Sequence, residues 1–181
     1  LGGNRFTGLN VLLWILTVLT SMLAFWQGPY PFRRWAAWLR EHVRLPWHFS
    51  ISAWTLLVLA VAGLVLFFRL NQLNAVPSEM VSDHAEKLLD VWDVLNGQPN
   101  IFFPRNTGRE AMQMYLTAAI IRLFGTGFSH LSLKLGAVLA GLCTLPYIYL
   151  LGKELGNRWV GLFAALFAGM AYWPNVISRV G

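Results

Sequence analysis

Four stretches of this 181-residue chain are apolar for about as long as a helix needs to cross a bilayer: residues 9–26, 49–68, 131–151 and 159–177. A hydrocarbon core of about 30 Å takes roughly 20 helical residues at ~1.5 Å each. Inside it every backbone N–H and C=O must be satisfied within the protein, which leaves such runs the helix as their conformation. Composition agrees, with 56% hydrophobic residues, 12% charged residues and a mean hydropathy of +0.52. Soluble domains carry about a quarter charged residues. The expected fold class is therefore all-α, a polytopic membrane helical bundle of about four transmembrane helices plus amphipathic surface helices. A disordered chain is excluded and an ordinary cytosolic enzyme is disfavoured. The net charge of +6 is carried beside apolar segments, without a basic block or an RNA-binding signature. Membrane lipid, not nucleic acid, is the partner this pattern implies. The single cysteine, Cys143, lies inside an apolar run, so no disulfide framework exists.

A fifth apolar stretch, residues 111–124, reaches only about 21 Å at ~1.5 Å per residue and reads as an interfacial or re-entrant helix. Charge asymmetry supports that choice. The segment 27–48 holds Arg33, Arg34, Arg40 and Arg44 against Glu41, and the turn after residue 151 holds Lys153 and Arg158 against Glu154. The segment 69–110 holds six of the eight acids: Glu79, Asp83, Glu86, Asp90, Asp93 and Glu110. If 111–124 does not cross, both basic loops fall on the cytoplasmic side and the connection 69–130 is extracytoplasmic, as the positive-inside rule requires. Residues 32–44 place Trp35, Trp38, Leu39 and His42 on one helical face, opposite Arg33, Arg40 and Arg44, a basic amphipathic helix for the cytoplasmic surface. Gly161, Ala165 and Gly169 make a smooth stripe for close helix packing in the last run. The chain begins at Leu1 without a methionine or a recognisable signal peptide, and is expected to be part of a longer protein.

Within the acidic connection, Ser82-Asp83-His84-Ala85-Glu86-Lys87 opens a helix with Ala85, Leu88, Leu89, Trp92 and Leu95 as its expected packed face and Glu86, Asp90 and Asp93 as its wetted one. Asn96-Gly97 followed by Pro99 marks its end. An aromatic linker follows, Asn100-Ile101-Phe102-Phe103-Pro104, and then Thr107-Gly108-Arg109-Glu110, whose spacing is that of a capping box, leads into the short apolar helix ending Leu123-Phe124-Gly125.

That order resembles the first extracytoplasmic loop of GT-C glycosyltransferases: an Asp-led acidic helix after a span, N-G-x-P with an aromatic pair, then G-R-E before an apolar helix ending L-F-G. The nearest group is family 39, related to protein O-mannosyltransferases and the lipid A aminoarabinose transferase. The turn Gly152-Lys153-Glu154-Leu155-Gly156-Asn157-Arg158 resembles the link between the second and third core helices of that family. The resemblance covers roughly residues 49–181, a GT-C-like transmembrane core with its extracytoplasmic loop at 69–130. Residues 1–48 read as an added N-terminal transmembrane helix and basic cytoplasmic surface helix. It implies the N-terminal membrane portion of an inverting enzyme of the plasma (inner) membrane that takes its sugar from a polyprenyl phosphate on the extracytoplasmic face. By position, Asp83 corresponds to the acidic residue that serves there as base or acceptor-positioning group, with Glu110 in support, and Arg179 is a candidate for the lipid phosphate. A divalent metal is compatible with the family, but His84 stands where many members carry a second acid.

Plainer readings stand beside these. Asp83-x-x-Glu86 has capping-box spacing, so Asp83 reads equally as a helix cap. Glu110 reads as the capping partner of Thr107, Arg179 as an interfacial anchor and His84 as a solvated histidine. A second functional class is a non-catalytic membrane subunit packed against other subunits of a respiratory or photosynthetic complex. A transporter is weaker, because no acid falls within a span.

Overall fold

The computed structural model describes residues 3–26, 28, 36, 37, 39, 40 and 51–180. Among these the chain is mostly helical, with seven helices and one short strand pair. It divides into two units, Leu1–Ser52 and Ala53–Gly181. Trp35, Trp38 and His42, which define the expected basic surface helix, lie outside the described residues, as does the beginning of the run expected at 49–68.

In the first unit, α1 (Gly8–Ala24) opens with a reciprocal cap: the Asn10 amide donates to Thr7 Oγ1 at 3.3 Å and the Thr7 amide to Asn10 Oδ1 at 2.8 Å. Thr17 and Thr20 turn their hydroxyls back to the carbonyls of Leu13 and Leu16, which suits them to an apolar surround, and no residue of α1 is buried.

The second unit runs α2 (Ala53–Leu70), α3 (Ser82–Leu95), β1 (Phe102–Phe103), β2 (Arg109–Glu110), α4 (Met112–Phe124), α5 (His130–Leu155), α6 (Arg158–Met170) and α7 (Tyr172–Val180). Two helices, α2 with 18 residues and α5 with 26, are long and apolar enough to cross a membrane. The run at 159–177 is not one helix. It breaks at Ala171, whose ψ of 143° is extended, and α6 and α7 meet at a 47° bend, so they make a third crossing only as a broken pair. Pro174 explains the break: it has no N–H to continue the ladder from the Met170 carbonyl, and it sits in the first turn of α7, where none is needed. At 17 and 13 residues, α1 and α4 are shorter apolar helices.

Glycine sets the α5–α6 contact. A Cβ on Gly152 would stand 2.8 Å from the Gly161 Cα, and one on Gly161 would run into the Tyr149 carbonyl, so the two backbones touch. Gly169 faces Val65 of α2 instead, so the stripe serves two neighbours. At one end of this bundle the Trp54 and Trp159 rings meet edge to face at 4.9 Å under the Arg158 guanidinium. At the other, Arg179 donates to the carbonyls of Phe68 and Asn71, the His130 ring meets the Val180 carbonyl at 3.0 Å, and Lys134 Nζ donates to Leu73 and Pro77. The connection from residue 71 to 129 thus leaves and returns at one end. It has its own core of Val91, Phe103, Ala111, Met114 and Ala118, closed by Leu133 of α5.

Candidate functional site: a charged cluster over an apolar groove

Asp90 of α3 faces inward and Asp93 is largely covered, which corrects the wetted face expected for them, while Glu86 stays partly open to water. Asp90 is 0% exposed. Its two oxygens accept from Arg105 at 2.5 Å and Arg109 at 3.1 Å, and Arg105 also reaches Asp93 at 2.6 Å. Arg109 gathers Asp83 and Glu86 as well, the latter at 3.2 Å. The expected packed face turns out in part, with Leu89 and Trp92 exposed and Val91 buried in their place. The reason is pairing strength: two guanidiniums on the facing hairpin give four carboxylates charge-assisted bonds that water-facing rotation would break.

The loop that brings the arginines is built around its aromatic pair. Phe103 is buried in the core, and β1 pairs antiparallel with β2 so that Phe102 lies opposite Glu110 and Phe103 opposite Arg109. The turn between them passes Asn106, Thr107 and Gly108 at positive φ, and any Cβ at Gly108 would strike the Phe102 ring.

Asp83 is the second residue of α3, not its cap. Val81 holds the cap position, and its N–H donates to His84 Nδ1 at 3.2 Å. The Asp83 carboxylate instead accepts from Arg109 and from Asn106 Nδ2 at 2.6 Å, with Lys87 Nζ at 3.5 Å. Burial alone pushes its pKa up, but the bonds from Arg109 and Asn106 and the neighbouring positive charges outweigh that and hold it below the ordinary value, ionised at neutral pH. The guanidinium of Arg105 is held above its ordinary value by its bonds to Asp93 and Asp90. Burial opposes the same shift in Arg109, but its bonds to Asp83, Glu86 and Asp90 prevail.

The other expected residues scatter. Glu110 lies in β2, so it is not the capping partner of Thr107, whose hydroxyl bonds the Asn106 carbonyl. Arg179 spends its Nη2 on two backbone carbonyls at the end of α2. His84 is buried rather than solvated, stacked on His130 with ring centroids 4.7 Å apart. Its pKa is lowered by burial first and then by the neighbouring His130 and Lys87. No group of three or more His, Cys, Asp or Glu suited to a metal occurs among the described residues. The donor set here does not fit a divalent ion, because the carboxylates of the cluster already face guanidiniums and the His84 Nδ1 lone pair is taken.

Beside the cluster a cavity of about 620 Å³ opens between α4 and α5, lined by Lys87, Arg109, Glu110 and Gln113 together with Leu116, Ala137, Ala140 and Ile177. A second space of about 430 Å³ shares Ala137, Ala140 and Ile177 and runs on past Gly141, Leu145 and Ile148 to the buried Arg69. Together they form a groove along α5, charged where Lys87, Arg109 and Glu110 line it and largely apolar elsewhere.

Arg69 was not legible as a special residue. It is 2% exposed, at the end of α2, and donates to the carbonyls of Gly169 at 3.1 Å, Ala168 at 3.2 Å and Pro174 at 2.8 Å, and to Ser178 Oγ at 3.1 Å. It fills the break between α6 and α7, aided by Asn175 Nδ2 on Gly169 and Ala171. A proline near the end of an apolar run that also holds small residues was the one available signal that carbonyls would need a donor. Comparison of this chain with protein-family models, curated proteins and solved structures finds no match in any of the three.

Proposed function

We propose that this chain is the N-terminal membrane portion of a GT-C-like glycosyltransferase, spanning the membrane with α2, α5 and the broken pair α6–α7 and holding residues 71–129 on the extracytoplasmic face. The observation that supports this reading best is the groove, which offers cations and a carboxylate in one part and an apolar wall in the rest, the chemistry of a phosphate-linked sugar on a prenyl chain. In the reaction an acceptor hydroxyl attacks the sugar's anomeric carbon, its proton passes to the Asp83 carboxylate, and the bond to the phosphate oxygen breaks, releasing the polyprenyl phosphate. Arg109 lines this groove and holds Asp83. Turning toward the donor phosphate would let it neutralise the leaving group while making Asp83 a stronger base.

The experiment is sugar transfer by the full-length protein in membranes, with radiolabelled polyprenyl-phosphate sugars. Asp83→Asn keeps an oxygen for Arg109 but cannot take a proton, and should reduce transfer at least roughly 100-fold with little change in expression. Transfer at the parental rate would remove Asp83 from the chemistry. No transfer from any donor, with copurification of a membrane complex, would favour the structural-subunit reading instead.

A further inference from the structure

We propose that the outward stripe of α3, together with Phe128 and the end of α4, is a lipid-contact surface seated in the interfacial layer of the bilayer. A helix in water turns its acids out and its apolar side in. Here Leu88, Val91 and Leu95 pack on the core, yet a second apolar stripe is left outside, with Leu89 52% and Trp92 51% exposed while Asp90 is 0% exposed. Ala85, Leu89 and Trp92 follow the i, i+4, i+7 spacing of one helical face, and all three are exposed. The patch extends beyond α3. The Trp92 and Phe128 rings lie 4.9 Å apart, and Leu123 and Phe124 at the end of α4 are 77% and 70% exposed.

Continuity identifies the occupant. Phe128 stands two residues before α5, and Phe124 shares a wholly apolar crevice of about 250 Å³ with Leu70 at the end of α2 and Leu135 and Leu139 of α5. The patch therefore runs directly onto the faces of the two helices long enough to span. Tryptophan and phenylalanine at that height match the aromatic belt of a membrane protein. Asp90, the enclosed acid, needs no water, because Arg105 and Arg109 satisfy it. This inference rests on reading α2 and α5 as spans, and not on sugar transfer.

The test uses the full chain in a Cys143→Ser background, reconstituted in nanodiscs of phosphatidylcholine and phosphatidylglycerol. Nitroxide labels on Leu89→Cys, Trp92→Cys and Phe128→Cys should relax with oxygen and resist a water-soluble nickel chelate, at shallower depth than a label on Leu139→Cys. A label on Gln98→Cys should stay open to nickel. Nickel access at 89, 92 and 128, or exclusion of both reagents by a covering protein, overturns the proposal. Nickel access at 139 overturns the spans themselves. In the otherwise unmodified protein, brominated lipid should quench a share of the tryptophan emission that Trp92→Phe removes; an unchanged share counts against the surface.

Discussion

Asp90 and Asp83 lie seven residues apart on one helix, and their surroundings separate their roles. Asp90 is sealed between two guanidiniums, so Asp90→Asn leaves both short of a counter-charge and should cost about 2–3 kcal/mol, read as a lower thermal midpoint in detergent. Asp83 is partly open to water, and its replacement should cost at most about 1 kcal/mol. His84 sets a pH dependence. Its folded pKa lies below the ordinary 6.5, so the unfolded chain takes up the proton first and stability falls as the pH drops from about 6.5 toward the folded value. His84→Gln preserves an acceptor for the Val81 N–H and does not titrate. Melting curves between pH 7.5 and 5 should flatten in that variant. Asp83 acts lower on the scale: its depressed pKa adds stability above its ordinary 3.8 that is lost as the pH falls through the folded value. The types and spacing of these residues were legible in sequence, but their orientation was not. Periodicity placed Leu88 and Leu95 correctly against the core but not Ala85, Leu89 and Trp92, because the helix is turned toward Arg105 and Arg109, which lie on a hairpin that helical periodicity does not address.

The long apolar elements were the most legible, because length and hydropathy dominate there. The ends of α3 and α4 also fell where Asn96-Gly97 and Gly125 put them, Gly97 at φ 83° and Gly125 at φ 64°. The capping boxes failed for a physical reason: Asp83 and Glu110 had closer partners, an arginine side chain in one case and a strand in the other. The break at Ala171 was missed because an apolar run conceals a bend when the donor that repairs it is about 100 residues away. Arg69→Met should leave its carbonyl acceptors unpaired, costing about 2–4 kcal/mol and loosening α7 first, a change that hydrogen exchange of residues 172–180 would register. Arg69→Lys should recover only part, since an ammonium cannot span the same fork of acceptors. Gly161→Leu would force α5 and α6 apart and should abolish the folded form in detergent, whereas the same change at the exposed Phe167 should be nearly neutral.

At the scale of the molecule, cysteines introduced at Asn100 and Lys153 should label from opposite sides of the membrane; labelling from the same side would mean that α4 crosses. The opposite ends occupied by the Trp54–Trp159 contact and the Arg179 contacts already require the two sites to be far apart. The exchange of arginines also has a consequence in time. Arg69 on α2 satisfies the end of α6, and Arg179 on α7 satisfies the end of α2, so each repairs a gap that the ribosome makes some 100 residues before or after it. If α2 crosses a membrane, as its length and apolarity allow, it enters during synthesis with a charged guanidinium and open carbonyls whose partners do not yet exist. A nascent chain halted before residue 168 would then keep Arg69 at the water surface, and α2 would settle to its final depth only after α7 emerges. The exchange thus makes this part of the bundle a unit completed by its last helix, and stalled intermediates should remain open to proteases at residues 70–77 until that helix arrives.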